Sequence, residues 1–255
     1  MSGFQLNPSR AWWLGAVLTD GSFARPKPNM RRVILMVTDR DFAEAFVDAC
    51  DEMIGTRYAI TPRPGSTPRS KPTWLVQATS KPLYEWGMEM TEAKSRMPKC
   101  MFDQPREIQR HFLAGVMDGD GWVSIGPQSR VRNDGHRGIR VQIGVASCDP
   151  WLYDLKRLAD SMGLIARGPR LIKRDNPKWR PIYNLLFAIE PFIAEQVPLR
   201  IARKRMRLEH LYNDLKSSEA ICLEPGYDPG KRWSELPSDG QSGVGTETAR
   251  LAPSQ

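Results

Sequence analysis

The sequence predicts an α+β fold of two similar halves, each running helix, strand, strand, helix, strand, strand, helix, with helices against one face of an antiparallel sheet. Three observations lead there. A nine-residue block recurs: Trp13-Leu-Gly-Ala-Val-Leu-Thr-Asp-Gly21 aligns with Leu113-Ala-Gly-Val-Met-Asp-Gly-Asp-Gly121 at an offset of 100, setting Gly15 over Gly115 and Asp20 over Asp120. Strand-like segments follow each block, and in the clearest of them Ile139, Val141, Ile143 and Val145 alternate with Arg140, Gln142 and Gly144. A helical stretch then ends at a glycine in each half, Gly55 and Gly163, the residue that most easily takes the left-handed turn after a helix.

In chain order, the first block is followed by strands at Ser22–Arg25 and Val33–Thr38, and the second by strands at Trp122–Ile125 and Ile139–Ala146. Helices are expected at Asp41–Ile54 and Asp149–Met162, where the offset has grown to 108, and the extra residues fit a longer loop around Arg130–Gly138. Two further strands close each half, Tyr58–Thr61 with Thr73–Ala78 and Leu164–Arg170 with Ile182–Phe187. Lys81-Pro82-Leu83 and Glu190-Pro191-Phe192 open short helices, with proline where an early turn tolerates it. A basic amphipathic helix, Pro198–Leu215, ends the second half. The expected divisions are a first repeat at 1–96, a linker at 97–104, a second repeat at 105–217, and a tail at 218–255 rich in Gly, Pro, Ser and acidic residues that is expected to lack fixed structure.

With 255 residues, 40% of them hydrophobic, the chain can bury a sizeable core. Its apolar runs, such as Ala11–Leu18 and Ile182–Ile189, are too short to span a bilayer, and the N-terminus has no secretory signal pattern. A protein of the cell interior is expected, cytoplasmic, organellar or inside a phage-infected host, without a membrane partner. Cys50, Cys100, Cys148 and Cys222 lie far apart with three histidines, which favours free thiols over a zinc site. The formal charge is +8, from 37 Lys and Arg against 29 Asp and Glu. Residues 218–255 hold three of those basic and six of those acidic groups, so positions 1–217 keep 34 against 23, a net +11. Such an excess favours a polyanionic partner, because neutralised phosphates release condensed counterions.

Chemistry enters through the repeated block. Gly15 and Gly115, with Ala16, Ala114, Thr19 and Gly119, recur at three- and four-residue spacings, so the two helices can pack backbone to backbone as a pseudo-twofold interface. Asp20 and Asp120 then meet at the helix ends. Two adjacent carboxylates repel unless a cation lies between them, and such hard oxygens suit Mg²⁺. Asp118 has only Leu18 as its counterpart and is expected to be a capping or solvated residue.

Leu113–Gly121 differs from the LAGLIDADG signature at three of nine places, and the first block keeps Gly15, Asp20 and Gly21, followed by Ser22-Phe23. Over roughly residues 8–216 the chain resembles the LAGLIDADG homing endonucleases of the monomeric two-repeat type. That resemblance implies a saddle of two antiparallel sheets on DNA with the motif helices at the repeat interface. It implies a site-specific endonuclease of intron-homing type that hydrolyses both strands of an asymmetric duplex target of about twenty base pairs and leaves 3′ overhangs. It also implies two or three Mg²⁺ ions, with Mn²⁺ or Ca²⁺ able to take their place structurally, held by Asp20 and Asp120 with Thr19 and Gly119. Lys94, in Ala93-Lys94-Ser95, matches the basic residue that relatives place near a scissile phosphate. The repeat offset puts Arg203 opposite it with Lys204 adjacent, and Lys204 is the residue type the family uses. The place of the water-orienting polar residue falls on Asp39 and Ser147, a departure from the usual glutamine. Base reading from the sheets nominates Arg25, Lys27, Arg57, Arg63, Arg140, Gln142, Arg180 and Asn184, while the loops Arg63–Lys71 and Arg170–Arg180 grip backbone. The alternatives within the fold are an intron maturase binding RNA and a DNA-binding protein without catalysis. A nuclease embedded in an intein is not expected, since the chain starts at Met1 and ends at Gln255 without the splicing Cys or Ser start and His-Asn end.

Overall fold

The computed structural model describes residues 5–65, 67, 70–131, 137–172 and 180–221. The first half holds α1 (Pro8–Thr19), β1 (Gly21–Ala24), β2 (Arg32–Val37), α2 (Arg40–Ile54), β3 (Ile60–Arg63), β4 (Thr73–Thr79) and α3 (Lys81–Met90). A short 3-10 turn, Lys99–Asp103, leads into the second half: α4 (Arg106–Asp118), β5 (Gly121–Val131), β6 (Arg137–Ser147), α5 (Trp151–Ser161), β7 (Ala166–Ile172), β8 (Ile182–Phe187), α6 (Ile189–Ala194) and α7 (Ala202–Ile221). The strands form two antiparallel sheets ordered β1-β2-β4-β3 and β5-β6-β8-β7. Among the described residues no helix is long and apolar enough to cross a membrane.

Local chemistry explains the boundaries. Asn7 caps α1, its side chain accepting from Arg10 N (2.9 Å), with proline in the first turn. Gly55 ends α2 at φ 63° and Gly163 follows α5 at φ 68°. Ser80 caps α3 through Leu83 N (3.3 Å). Two expectations change. The extra length of the second half does not go into a long loop: β5 and β6 have 11 residues each against 4 and 6 in β1 and β2, and 132–136 lie outside the described residues. The last helix begins at Ala202 rather than Pro198, because the preceding segment is drawn out along the ends of α2 and α4, and it runs on to Ile221. The rest of the expected tail, 222–255, lies outside the described residues.

The core sits around α1. Every residue from Ala11 to Leu18 is buried, the signature of a helix surrounded on all sides. Trp13 stacks between Phe46 (5.8 Å) and Trp86 (5.6 Å), and Trp12 meets Phe42 edge-on (5.7 Å). Truncating such an indole to alanine costs roughly 3–5 kcal/mol, so this cluster fixes α1 relative to α2 and α3. In the sheets, Val33, Leu35, Val76 and Ala78 of the first half and Ile143, Val145 and Leu185 of the second are buried beneath the helices.

Candidate active site at the crossing of two helices

α1 and α4 cross where both glycines lie. A Cβ on Gly15 would stand 2.4 Å from Phe112 O, and one on Gly115 2.0 Å from Trp12 O, so neither position has room for a side chain. The contact continues to the helix ends. A Cβ on Gly119 would meet Thr19 Oγ1 at 2.0 Å and Asp20 Oδ2 at 2.8 Å. The acids predicted from the repeat are therefore brought together, each just past the last turn of its helix.

Their environment disfavours two negative charges. Asp20 keeps contact with solvent, yet desolvation of its carboxyl raises its pKa, and Lys204 and Lys94 only partly offset it. Asp120 is half-buried, and burial followed by the charge of Asp20 pushes it up to about 7, against the pull of Lys94 and Lys204. The two ammonium groups are present but turned to carbonyls at and just past the helix ends. Lys94 Nζ donates to Thr19 O (2.7 Å) and Gly21 O (2.6 Å); Lys204 Nζ donates to Met117 O (2.7 Å), Asp118 O (2.7 Å) and Gly119 O (3.1 Å). Each lysine thus sits on the negative end of one helix dipole. Burial lowers the pKa of both, and Lys204, also facing Arg203, falls to about 8.

The two lysines arrive by different routes. Lys94 ends a left-handed turn after α3, with Glu92, Ala93 and Lys94 at φ 42°, 56° and 73°. Runs of non-glycine residues there cost roughly 1–2 kcal/mol each, and the buried Thr91 offsets this by donating to Gly87 O (2.7 Å) while accepting from Lys94 N (3.1 Å). Lys204 lies in the first turn of α7. Arg203, its neighbour in the repeat register, goes elsewhere: its guanidinium makes a paired contact with Asp39 (2.8 and 2.9 Å). Burial alone would raise Asp39, but Arg203 and Lys204 hold it below the usual carboxylate range. Ser147 is buried, its Oγ accepting from Asp149 N (3.2 Å) at the turn into α5.

Of its two readings, capping and solvated, Asp118 keeps the first in the structure. It is 1% exposed, not solvated, and it accepts from Trp12 Nε1 (2.9 Å), Arg200 N (2.9 Å) and Ile201 N (3.2 Å). A signal existed in the repeat. The offset of 100 pairs Trp12 with Phe112 and Leu18 with Asp118, so one diagonal of the crossing is apolar and the other exchanges both members for a hydrogen-bonded pair.

Strand register decides which side of a sheet each nominated residue takes. On the side away from the helices, Ser22, Ile34 and Gln77 align across β1, β2 and β4, and so do Ala24, Arg32 and Thr79. Arg63 joins them opposite Thr73. Arg25 and Arg57 do not: Arg25 donates to Tyr84 Oη (3.1 Å) on α3, and Arg57 pairs with Asp48 on α2 (2.6 Å). Lys27 is exposed between β1 and β2. In the second sheet Gln142 lies opposite Ser124 and Asn184 opposite Ala146 and Arg170, all on the open side. Arg140 pairs in register with Gly126, and its side chain is outside the described residues. Arg180 contacts Asp149 (2.6 Å) at the start of α5. Sequence reasoning missed Arg32, one residue before the apolar run of β2, and Gln77, the exposed residue between Val76 and Ala78. Arg32 reaches Gln77 Oε1 (3.2 Å) and Thr79 Oγ1 (3.1 Å), a polar row across two strands.

No protein-family model matches the chain. Among curated proteins it is 28% identical over 160 residues to an iron-sulfur cluster assembly SufBD family protein of Mycobacterium leprae (strain TN), a stretch covering 62% of this chain and only 16% of that protein. The likeness is thus to one segment of a far longer chain. Among solved structures, the homing endonuclease I-WcaI bound to its DNA recognition sequence matches with a TM-score of 0.52 at 15% identity, over 81% of this chain and 88% of that one. A variant of I-SmaMI matches with a TM-score of 0.55 at 13% identity, over 86% and 92%. With its two four-stranded antiparallel sheets and the helices packed against them, the chain has the fold of the LAGLIDADG homing endonucleases.

Proposed function

We propose that the protein is a metal-dependent DNA endonuclease that hydrolyses one phosphodiester on each strand of a long, asymmetric duplex target and leaves 3′ overhangs. The supporting observation is the meeting of Asp20 and Asp120, one from each half, at the ends of two helices that touch through Gly15 and Gly115. The donor set fits a hard divalent cation such as Mg²⁺. Both carboxyl groups are raised by burial, Asp120 also by its neighbour, and the adjacent ammonium groups spend their hydrogen bonds on helix carbonyls. Among the described residues no cluster of three or more His, Cys, Asp or Glu side chains stands ready for a metal, so backbone, water and phosphate oxygens would complete the shell. The carbonyls of Thr19 and Gly119 are the nearest such oxygens in sequence, each already accepting from a lysine. A divalent cation held there supplies water activation and neutralises charge on the leaving oxygen.

The chain's own residues do the rest. Asp20 and Asp120 fix the cation, and Asp120 gives up its proton to do so. Lys94 uses two N–H groups on the carbonyls of Thr19 and Gly21 and has a third to aim at a phosphate. The open sheet sides lie along the duplex, with Arg63, Arg32, Gln77, Gln142 and Asn184 facing base edges. Sequence differences between the halves make the target asymmetric, and one chain carries both halves, so a monomer suffices.

The test is selection of cut sites from a random or host-genome DNA library with Mg²⁺, with sequencing of the ends. Cleavage at defined sites by the parent, and none by an Asp20→Asn, Asp120→Asn double variant, is the expected result; a double variant that still cuts ends the proposal. A second outcome concerns the missed row. Arg32→Ala should weaken binding to the selected site by about 1–3 kcal/mol and relax its base preference at one position. Unchanged preference in a repeated selection would remove Arg32 from the reading surface.

A further inference from the structure

The first turn of α7 is held by acids from both halves. Asp118, at the end of α4, accepts from Arg200 N (2.9 Å) and Ile201 N (3.2 Å). Asp41, in the first turn of α2, takes the next amide, Ala202 N, at 2.6 Å through Oδ2, while its Oδ1 accepts from Phe42 N (3.0 Å). Three consecutive N–H groups leading into a helix are thereby satisfied by two carboxylates, one per repeat. Arg200 lies over the Trp12 ring (4.4 Å), and Arg203 is paired with Asp39.

This arrangement sits directly under Lys204, whose side chain is 3% exposed and whose three ammonium hydrogens all meet carbonyls of α4. A lysine in the first turn of a helix opposes that helix's own dipole, so burial there requires negative charge close by. Asp118 supplies it, with Asp20 and Asp39, while Asp41 fixes the backbone from which Lys204 reaches them. The other half uses a different device: Lys94 is set by a left-handed turn within its own repeat.

We propose that Asp41 and Asp118 are positioning residues for Lys204, so that an acid of the first repeat holds the basic group over the helix end of the second. Asp41 lies beyond hydrogen-bond reach of Lys204 in this network and acts through Ala202. Losing its acceptor should free the start of α7 and let the Lys204 ammonium leave the α4 carbonyls. Lys94 should not respond, since its turn is held by Thr91 and its ammonium by Thr19 O and Gly21 O.

Lysine reactivity reads this without any DNA. The full-length chain is reductively methylated with formaldehyde and a borohydride, and each lysine is followed by mass spectrometry. In the parent, Lys204 should react far more slowly than the exposed Lys81. Asp41→Ala should raise Lys204 reactivity about tenfold, the equivalent of losing one charge-assisted hydrogen bond, with Lys94 unchanged. Asp41→Asn, which keeps an acceptor oxygen, should stay near the parent. Unchanged Lys204 reactivity in Asp41→Ala overturns the proposal, and so does a joint rise of Lys94 and Lys204, which would mean general loosening. A consequence rests on the nuclease reading: Asp41→Ala should slow one strand about tenfold and accumulate nicked DNA, with the other strand cut at the parental rate. Equal slowing of both strands would count against the positioning role, whereas a parent that cuts nothing would sink the nuclease reading and leave the lysine result to decide this one.

Discussion

Asp120→Asn should give a folded protein that fails to cut DNA and, at pH 8 without divalent metal, melts higher than the parent. The carboxyl is pushed up to about 7 by burial first and by Asp20 second. The other charges facing it are Lys94 and Lys204, which pull it down, and Asp149, which adds to the rise. In the unfolded chain the same group titrates near the ordinary aspartate value of 3.8. Between those values the folded state holds the proton more tightly, so stability falls as pH rises through about 7, and at pH 8 the full cost is present. Asparagine removes that cost. The expected gain in melting temperature is several degrees, since each kcal/mol corresponds to about 2–4 °C for a domain of this size. At pH 5 the difference should be smaller, and it should vanish only below about 3.8, where folded and unfolded chains are both protonated.

Divalent metal should invert the ranking. Mg²⁺ or Mn²⁺ binds the native pair and displaces the proton, so it should raise the parental melting temperature at pH 8 more than at pH 6 and leave Asp120→Asn almost unmoved. Cleavage should drop by at least about a thousandfold, the equivalent of several kcal/mol of charge stabilisation at the transition state. Calorimetry at three pH values with and without metal, beside a cleavage time course, measures all of this. A variant that melts lower than the parent at pH 8 would show that the two charges are not in conflict.

The sequence carried the features set by a period or a repeated register. Gly15 over Gly115 and Asp20 over Asp120 follow from one offset, and the order of strands and helices follows from alternation and from glycine stops at 55 and 163. Features set by contacts between distant segments were harder to read. Asp118, whose repeat counterpart is Leu18, was legible as a capping or solvated residue, but its burial, with partners from α1 and from the start of α7, was not. Arg25 and Arg57 have the right residue type for a DNA-facing surface, but Tyr84 and Asp48 capture them on the helix side. The choice between Arg203 and Lys204 could not come from the offset either. The rotation of α7 turns Arg203 to Asp39 and Lys204 to the end of α4, which supports Lys204 for the proposed role.

The largest effect on stability is expected at Gly115. A methyl group there would lie 2.0 Å from Trp12 O and 2.9 Å from Ala16 N, both backbone atoms of a helix buried on every side. Neither can swing away as a side-chain tip would, so α1 and α4 must separate, and the indole cluster around Trp13 must shift with them. Overpacking a core costs typically about 1–3 kcal/mol, and contact with backbone belongs at or above the top of that range. Gly115→Ala should therefore lose about 3 kcal/mol or more by denaturant titration, a large share of the roughly 5–15 kcal/mol that such a protein has. Gly55→Ala is the matched control: its Cβ would meet nothing within 4 Å, and only its φ of 63° resists a side chain, so the expected loss is about 1 kcal/mol. The crossing also sets the separation of the two acids a few residues beyond it. Any Gly115→Ala protein that still folds should bind Mg²⁺ more weakly, whereas Gly55→Ala should bind it as the parent does. Equal stability losses for the two variants, or an alanine at 115 that leaves metal affinity intact, would mean that close approach of the helices is not what builds the site.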